Sequence, residues 1–146
     1  NQVARLRQRC AKINEFYKKD RKNYKYCRAI FLHVDSRSKS HQTDVFFYHS
    51  KSKPDSKRLA KTMKKTFESK YDKHQPNRGF TGTVSARNLY VLANTSPASV
   101  FNASIHATAS VASEHTPRIR CPPTFRHIFF SNIFTLCVLA SSSKDR

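Results

Sequence analysis

The chain has 146 residues, enough for one domain that buries roughly two-thirds of its unfolded surface. Apolar residues make up 38%, with 11 Phe and 6 Tyr as bulky core material, and the formal net charge is +19. That charge predicts attraction to polyanions such as nucleic acid, anionic lipid or acidic wall polymer without choosing among them. Cys10, Cys27, Cys121 and Cys137 form no Cys-x-x-Cys pair, which leaves zinc-finger and thioredoxin-type readings without support.

Val3, Leu6, Cys10, Ile13 and Tyr17 recur at spacings of three and four and predict an amphipathic helix. Cys10 and Cys27 sit among apolar neighbours and read as buried thiols. Lys18 to Lys25 reads as a charged connector, and Ala29 to Val34 as a buried strand carrying a metal-competent side chain, His33, near its end. Asp35 to Thr43 is Ser-rich and charged, hence a loop. Asp44 to His49 reads as a second strand, aromatic and β-branched. Pro54 and Asp55 mark the start of a second helix, with Leu59, Ala60, Met63, Phe67 and Tyr71 as its apolar stripe.

His74 to Thr83 holds Pro76, Gly79 and Gly82 and reads as a loop, and Asn88 to Ala93 as a third strand. Alternating strands and helices predict an α/β fold, a mixed sheet flanked by helices. After Phe101 the character changes: Asn102 to Ser113 is rich in Ala, Ser and Thr, and Thr116 to Pro123 carries three prolines. The apolar stretch Ile128 to Ala140 contains Ser131 and Asn132 and is too short to span a bilayer as a helix. Two segments are expected, 1–101 as the ordered domain and 102–146 as a divergent tail, disordered or read in a shifted frame. The chain does not begin with Met and shows no signal peptide, so a truncated start is expected.

Several of these pieces, in this order, resemble one family. They are Arg9-Cys10-Ala11-Lys12-Ile13-Asn14 on the first helix, Leu32-His33-Val34-Asp35-Ser36 at the strand end, Asp44 to His49, Lys57 to Phe67, Asn77-Arg78-Gly79 and Leu89-Tyr90-Val91-Leu92. Together they are similar to the catalytic domain of zinc-dependent N-acetylmuramoyl-L-alanine amidases, above all those of Bacteroides-type bacteria. The resemblance covers about the first hundred residues. It implies a three-layer amidase-like fold, here incomplete, and a peptidoglycan substrate met in the periplasm or cell envelope. It also implies hydrolysis of the amide between N-acetylmuramic acid and L-alanine. In that family zinc is held by two His and one Glu and activates a water, while a separate Glu moves protons. His33 takes a zinc-ligand position by this analogy, and Arg78 and Gly79 border the substrate groove.

The sequence departs from the family at both ends. The family's first His and its Glu ligand lie upstream of the Arg9 helix, where this sequence has eight residues and neither type. The catalytic Glu position falls on Asn102 or Ala103, depending on a one-residue offset, and neither is a carboxylate. His33 alone cannot hold a catalytic zinc that takes three protein ligands. The sequence therefore predicts an amidase by descent with impaired activity. The rival prediction is a non-catalytic basic protein that binds anionic wall polymer or, with less support, nucleic acid. For the latter, Tyr24 and Tyr26 alternate with Lys22, Lys25 and Arg28, a pattern that stacks bases and holds phosphates.

Simpler readings stand beside these. A histidine on an apolar strand is most often a hydrogen-bonded core residue, and Arg78-Gly79 is explained by turn geometry. His41, His49 and His74 read as solvated, and His106, His115 and His127 share no ligand spacing. Glu114 beside His115 reads as exposed.

Overall fold

A computed structural model describes residues 1–35, 44–105, 126–130 and 133–137. In chain order they form α1 (Gln2–Asp20), β1 (Arg28–Asp35), β2 (Val45–His49), α2 (Pro54–His74), β3 (Gly82–Ala86), α3 (Tyr90–Asn94), β4 (Ala98–Ile105), β5 (Arg126–Phe130) and β6 (Ile133–Cys137). The strands make one sheet in the order β3-β2-β4-β1-β6-β5. β1 and β4 are parallel, as are β2 and β3; β2 is antiparallel to β4, and β6 to β1 and β5. The α/β class and the mixed sheet expected from the sequence are both present.

Local chemistry explains the two long helices. Asn1 caps α1, its side chain accepting from Val3 N at 3.0 Å. Leu6, Cys10, Ile13 and Phe16 turn inward, but Val3 is 52% exposed and lies off that stripe. α2 begins at Pro54 with Asp55 in its first turn and ends with Lys73 and His74, matching the helix dipole at both ends.

Two cores form on opposite faces of the sheet. Cys10 and Ile13 of α1 pack with Ala29 and Phe31 of β1 and Val91 and Leu92 of α3. On the other face, Leu59 and Ala60 of α2 pack with Val45, Phe47 and Val100. β2 alternates buried and half-buried along its length, as a strand between two helical layers should.

The third strand expected over Asn88 to Ala93 is not a strand. Tyr90–Asn94 is a short helix, closed by Leu92 N and Ala93 N donating to Leu89 O at 3.0 Å each. A short apolar run does not distinguish strand from helix by periodicity. Here consecutive Val91 and Leu92 are both buried in the α1 core, which a strand of alternating faces would not do. The sheet instead takes its members from Gly82–Ala86, which begins inside the expected loop, and from Ala98–Ile105. That last strand runs unbroken through the expected division between residues 101 and 102, and β6 adds along β1 from the segment beyond it.

Candidate functional site

β1 and β4 run parallel and finish at the same end of the sheet. Their register sets His33 beside Ala103, and the β2–β4 register sets Ala103 beside Phe46. The row before it is Phe31, Phe101 and Tyr48. Paired residues share a face, and Phe31 and Phe101 pack toward α1 and α3, so both rows lie on that side.

The result is an aromatic surface at the end of the sheet. The His33 and Phe101 ring centroids are 5.6 Å apart, Phe101 and Tyr48 6.4 Å, and Tyr48 and Phe46 5.8 Å. The Arg87 guanidinium lies over Tyr48, 4.8 Å from its centroid. His33, Phe46, Tyr48 and Phe101 are each half-buried, so the rings are partly open to solvent. Sequence reasoning singled out His33 and missed the rest of the row. The signal was the alternation Phe46, Tyr48 on one strand, which puts both rings on one face.

The one-residue offset at the family's Glu position has a geometric meaning. Ala103 stands next to His33 on the same face, whereas Asn102 is 2% exposed on the α2 side, paired with Leu32 and Phe47. Its Oδ1 accepts from Ser104 Oγ at 3.3 Å. Only the alanine position looks toward the histidine.

Arg78 and Gly79 lie in the turn between α2 and β3, at the same sheet end as His33. β2 begins there, and Asp44 just before it organises the turn. Arg78 Nη2 donates to Asp44 Oδ1 at 2.7 Å and Nη1 to Gln75 Oε1 at 3.1 Å, while the guanidinium rests on Tyr71. Thr81 N donates to Asp44 Oδ2 at 3.0 Å. Gly79 has φ +72°, a left-handed position that favours glycine. The described contacts of Arg78 all stay within this turn, and none reaches His33.

Asn14, part of the motif on α1, has a defined task. Its Nδ2 donates to Asn94 O at 3.0 Å and its Oδ1 accepts from Ser96 N at 2.7 Å, tying α1 to the turn that leads into β4. Lys53, just before α2, ties the same turn from the other side: its Nζ donates to Leu92 O at 3.1 Å and also to Thr95 O. Burial pushes the Lys53 ammonium below its ordinary pKa, an effect opposed by the nearby Cys10 sulfur. Burial also pushes the Cys10 thiol up.

His49 corrects a reading from the sequence. It is 5% exposed, at the end of β2, with Nδ1 3.0 Å from Ser50 O, and so is a hydrogen-bonded core histidine rather than a solvated one. His41, His106, Glu114 and His115 lie outside the described residues, as does the side chain of His127.

Zinc would need a second and third ligand near His33. Among the described residues no three His, Cys, Asp or Glu side chains gather closely enough to hold a metal ion, and the ring of His33 meets Phe101. The described residues therefore do not fit the family's zinc site. Among them, too, no helix is long and apolar enough to cross a membrane. Comparison with protein-family models, with curated proteins and with solved structures finds no match.

Proposed function

We propose that the chain is an N-acetylmuramoyl-L-alanine amidase by descent, of the three-layer amidase-like fold, that contacts peptidoglycan in the cell envelope and has lost hydrolysis. The observation that carries this reading is the register of His33 with Ala103. The resemblance assigns a zinc ligand to the first position and, at one of two offsets, the proton-transferring Glu to the second. Adjacent parallel strands hold such a pair about 5 Å apart. Reaction requires a carboxylate there, and alanine has only a methyl group, so it can neither take a proton from water nor give one to a leaving amine.

What remains suits contact with a glycan. Half-buried Phe46, Tyr48 and Phe101 offer ring faces against which the apolar faces of sugar rings pack, and Arg87 brings a cation to the same surface for the carboxylates of stem peptides.

The test is sedimentation with purified peptidoglycan sacculi at a salt concentration that screens exposed charge. The chain should pellet with the sacculi and release no new L-alanine amino termini, with or without added zinc. Release of stem peptide would overturn the loss of hydrolysis, and failure to pellet would overturn the wall contact. Phe101→Ala should weaken pelleting, which separates the aromatic surface from general basicity.

A further inference from the structure

The opposite end of the sheet carries a different surface. Where β1 and β4 begin, a groove of about 700 Å³ opens between the end of α1, the connector into β1 and the first turns of α2. Tyr17, Tyr24 and Tyr26 line it together with Arg21, Arg28 and Arg58. Lys25 adds a fourth cation, against one carboxylate, Asp55, that is ion-paired with Arg58. Leu59 and Ala98 form an apolar part of the wall. The cations and rings are held together: Arg28 lies 5.0 Å and Lys25 5.6 Å from the centroid of the Tyr26 ring.

We infer that this groove binds a short single-stranded nucleic acid, its bases against the tyrosines and its phosphates on Arg21, Arg28 and Arg58. A single strand presents a flat ring and a phosphate in every unit. The groove presents the complement, a ring and a cation in alternation from Tyr24 to Arg28, with further cations from Arg21 just past α1 and Arg58 on α2. A glycan with carboxylates only on its peptides supplies no repeating phosphate. A bilayer surface is flat and does not enter a concavity of this kind. Duplex DNA hides the ring faces the tyrosines would stack on. Tyr26, 45% exposed, is the ring most available for stacking. This site is separate from the His33 surface and does not depend on the amidase reading.

The experiment is fluorescence anisotropy with a labelled thymidine octamer at several salt concentrations. Three phosphates held by the arginines give a slope of log K against log salt of about −2 for a single strand. Tyr24→Ala with Tyr26→Ala should weaken binding at least about tenfold and leave the slope unchanged. Arg21→Gln and Arg28→Gln should each make the slope shallower by about 0.7. Lys64→Gln, on α2 away from the groove, is the charge-matched control and should change little. Circular dichroism of each variant reports that the fold is kept.

Equal binding of an abasic chain with the same phosphates, or of a poly(glycerol phosphate), would overturn the inference, since neither has bases to stack. An equal effect from Lys64→Gln would overturn it as well, by showing that net charge rather than the groove does the binding. Groove variants should pellet with sacculi as the parent does, so this inference and the proposed function fail independently.

Discussion

The two ends of the sheet differ in what they offer a partner. At the end where β1 and β4 finish, the surface is a row of half-open rings, which the side chain of Arg87 reaches from the far end of β3, and the ion pair of Asp44 with Arg78 is spent on closing a turn. At the end where they begin, four cations and three tyrosines line a groove with a single carboxylate. The same strands carry both, so the difference comes from what the connections supply. The α2–β3 turn is built around a half-buried acid, Asp44, whereas the α1–β1 connector is basic and aromatic. A net charge of +19 says only that cations are in excess. Their position decides which end meets a polyanion.

The largest expected effect should abolish both ends together. Phe31 is 1% exposed at the centre of the α1 core and stacks on Phe101. Phe31→Ala should cost about 3–5 kcal/mol, measured by denaturant unfolding, and take both binding activities with it. Retention of either at full strength would mean that the ends are not coupled through the strands.

Smaller changes should separate the ends. Lys53→Met leaves the carbonyls of Leu92 and Thr95 without this donor near the groove end, and should cost about 1–3 kcal/mol. Octamer binding should weaken while sacculus binding holds. Asp44→Asn removes the charge that pairs with Arg78 and should cost about 1–2 kcal/mol at the other end, with the reverse pattern. A shared loss in either variant would break the comparison.

Ala103→His tests the register directly, because it sets two imidazoles side by side on neighbouring strands. Nickel affinity should rise about tenfold over the parent, and His33→Ala in that background should remove the gain. No gain would place the two positions out of register.

The smallest effect is in alkali. Burial lowers the folded-state pKa of Lys53, so above that pKa the unfolded chain holds more protons there, and this group's contribution to stability rises with pH until the ordinary value of 10.5. Cys10, raised by burial from 9.0, acts in the opposite sense. The difference in unfolding free energy between the parent and Lys53→Met should therefore increase with pH in this window. A flat difference would mean that Lys53 is not desolvated.

Much of the scaffold was legible because local signals agreed with the tertiary outcome. Pro54 and Asp55 marked α2 to the residue, and the runs at Ala29 and Asp44 marked β1 and β2. Leu89 to Asn94 was not legible, because its helix is set by Val91 and Leu92 docking on α1 and by carbonyls that Lys53 satisfies from a distant segment. β3 was hidden by Gly82, which reads as a turn residue, and β4 by the small polar residues Ser99, Asn102 and Ser104. Of the candidate sites, His33 and the Tyr24–Arg28 alternation could be read locally. That Ala103 rather than Asn102 shares a face with His33 could not, because it depends on a register between strands. Tyr17 and Arg58 could not be joined to the groove either, because they reach it from different helices.

The pairing of β1 with β4 also sets the order in which the molecule can be made. β1 leaves the ribosome before either of its partners: the parallel one lies beyond two helices and two strands, and the antiparallel one lies further still. Its backbone donors and acceptors cannot be matched until β4 and β6 have been synthesised. Through that interval a strand bearing Ile30, Phe31 and Leu32 stays open to wrong partners. The physics of long-range pairing thus makes slow folding and a window open to aggregation properties of this topology.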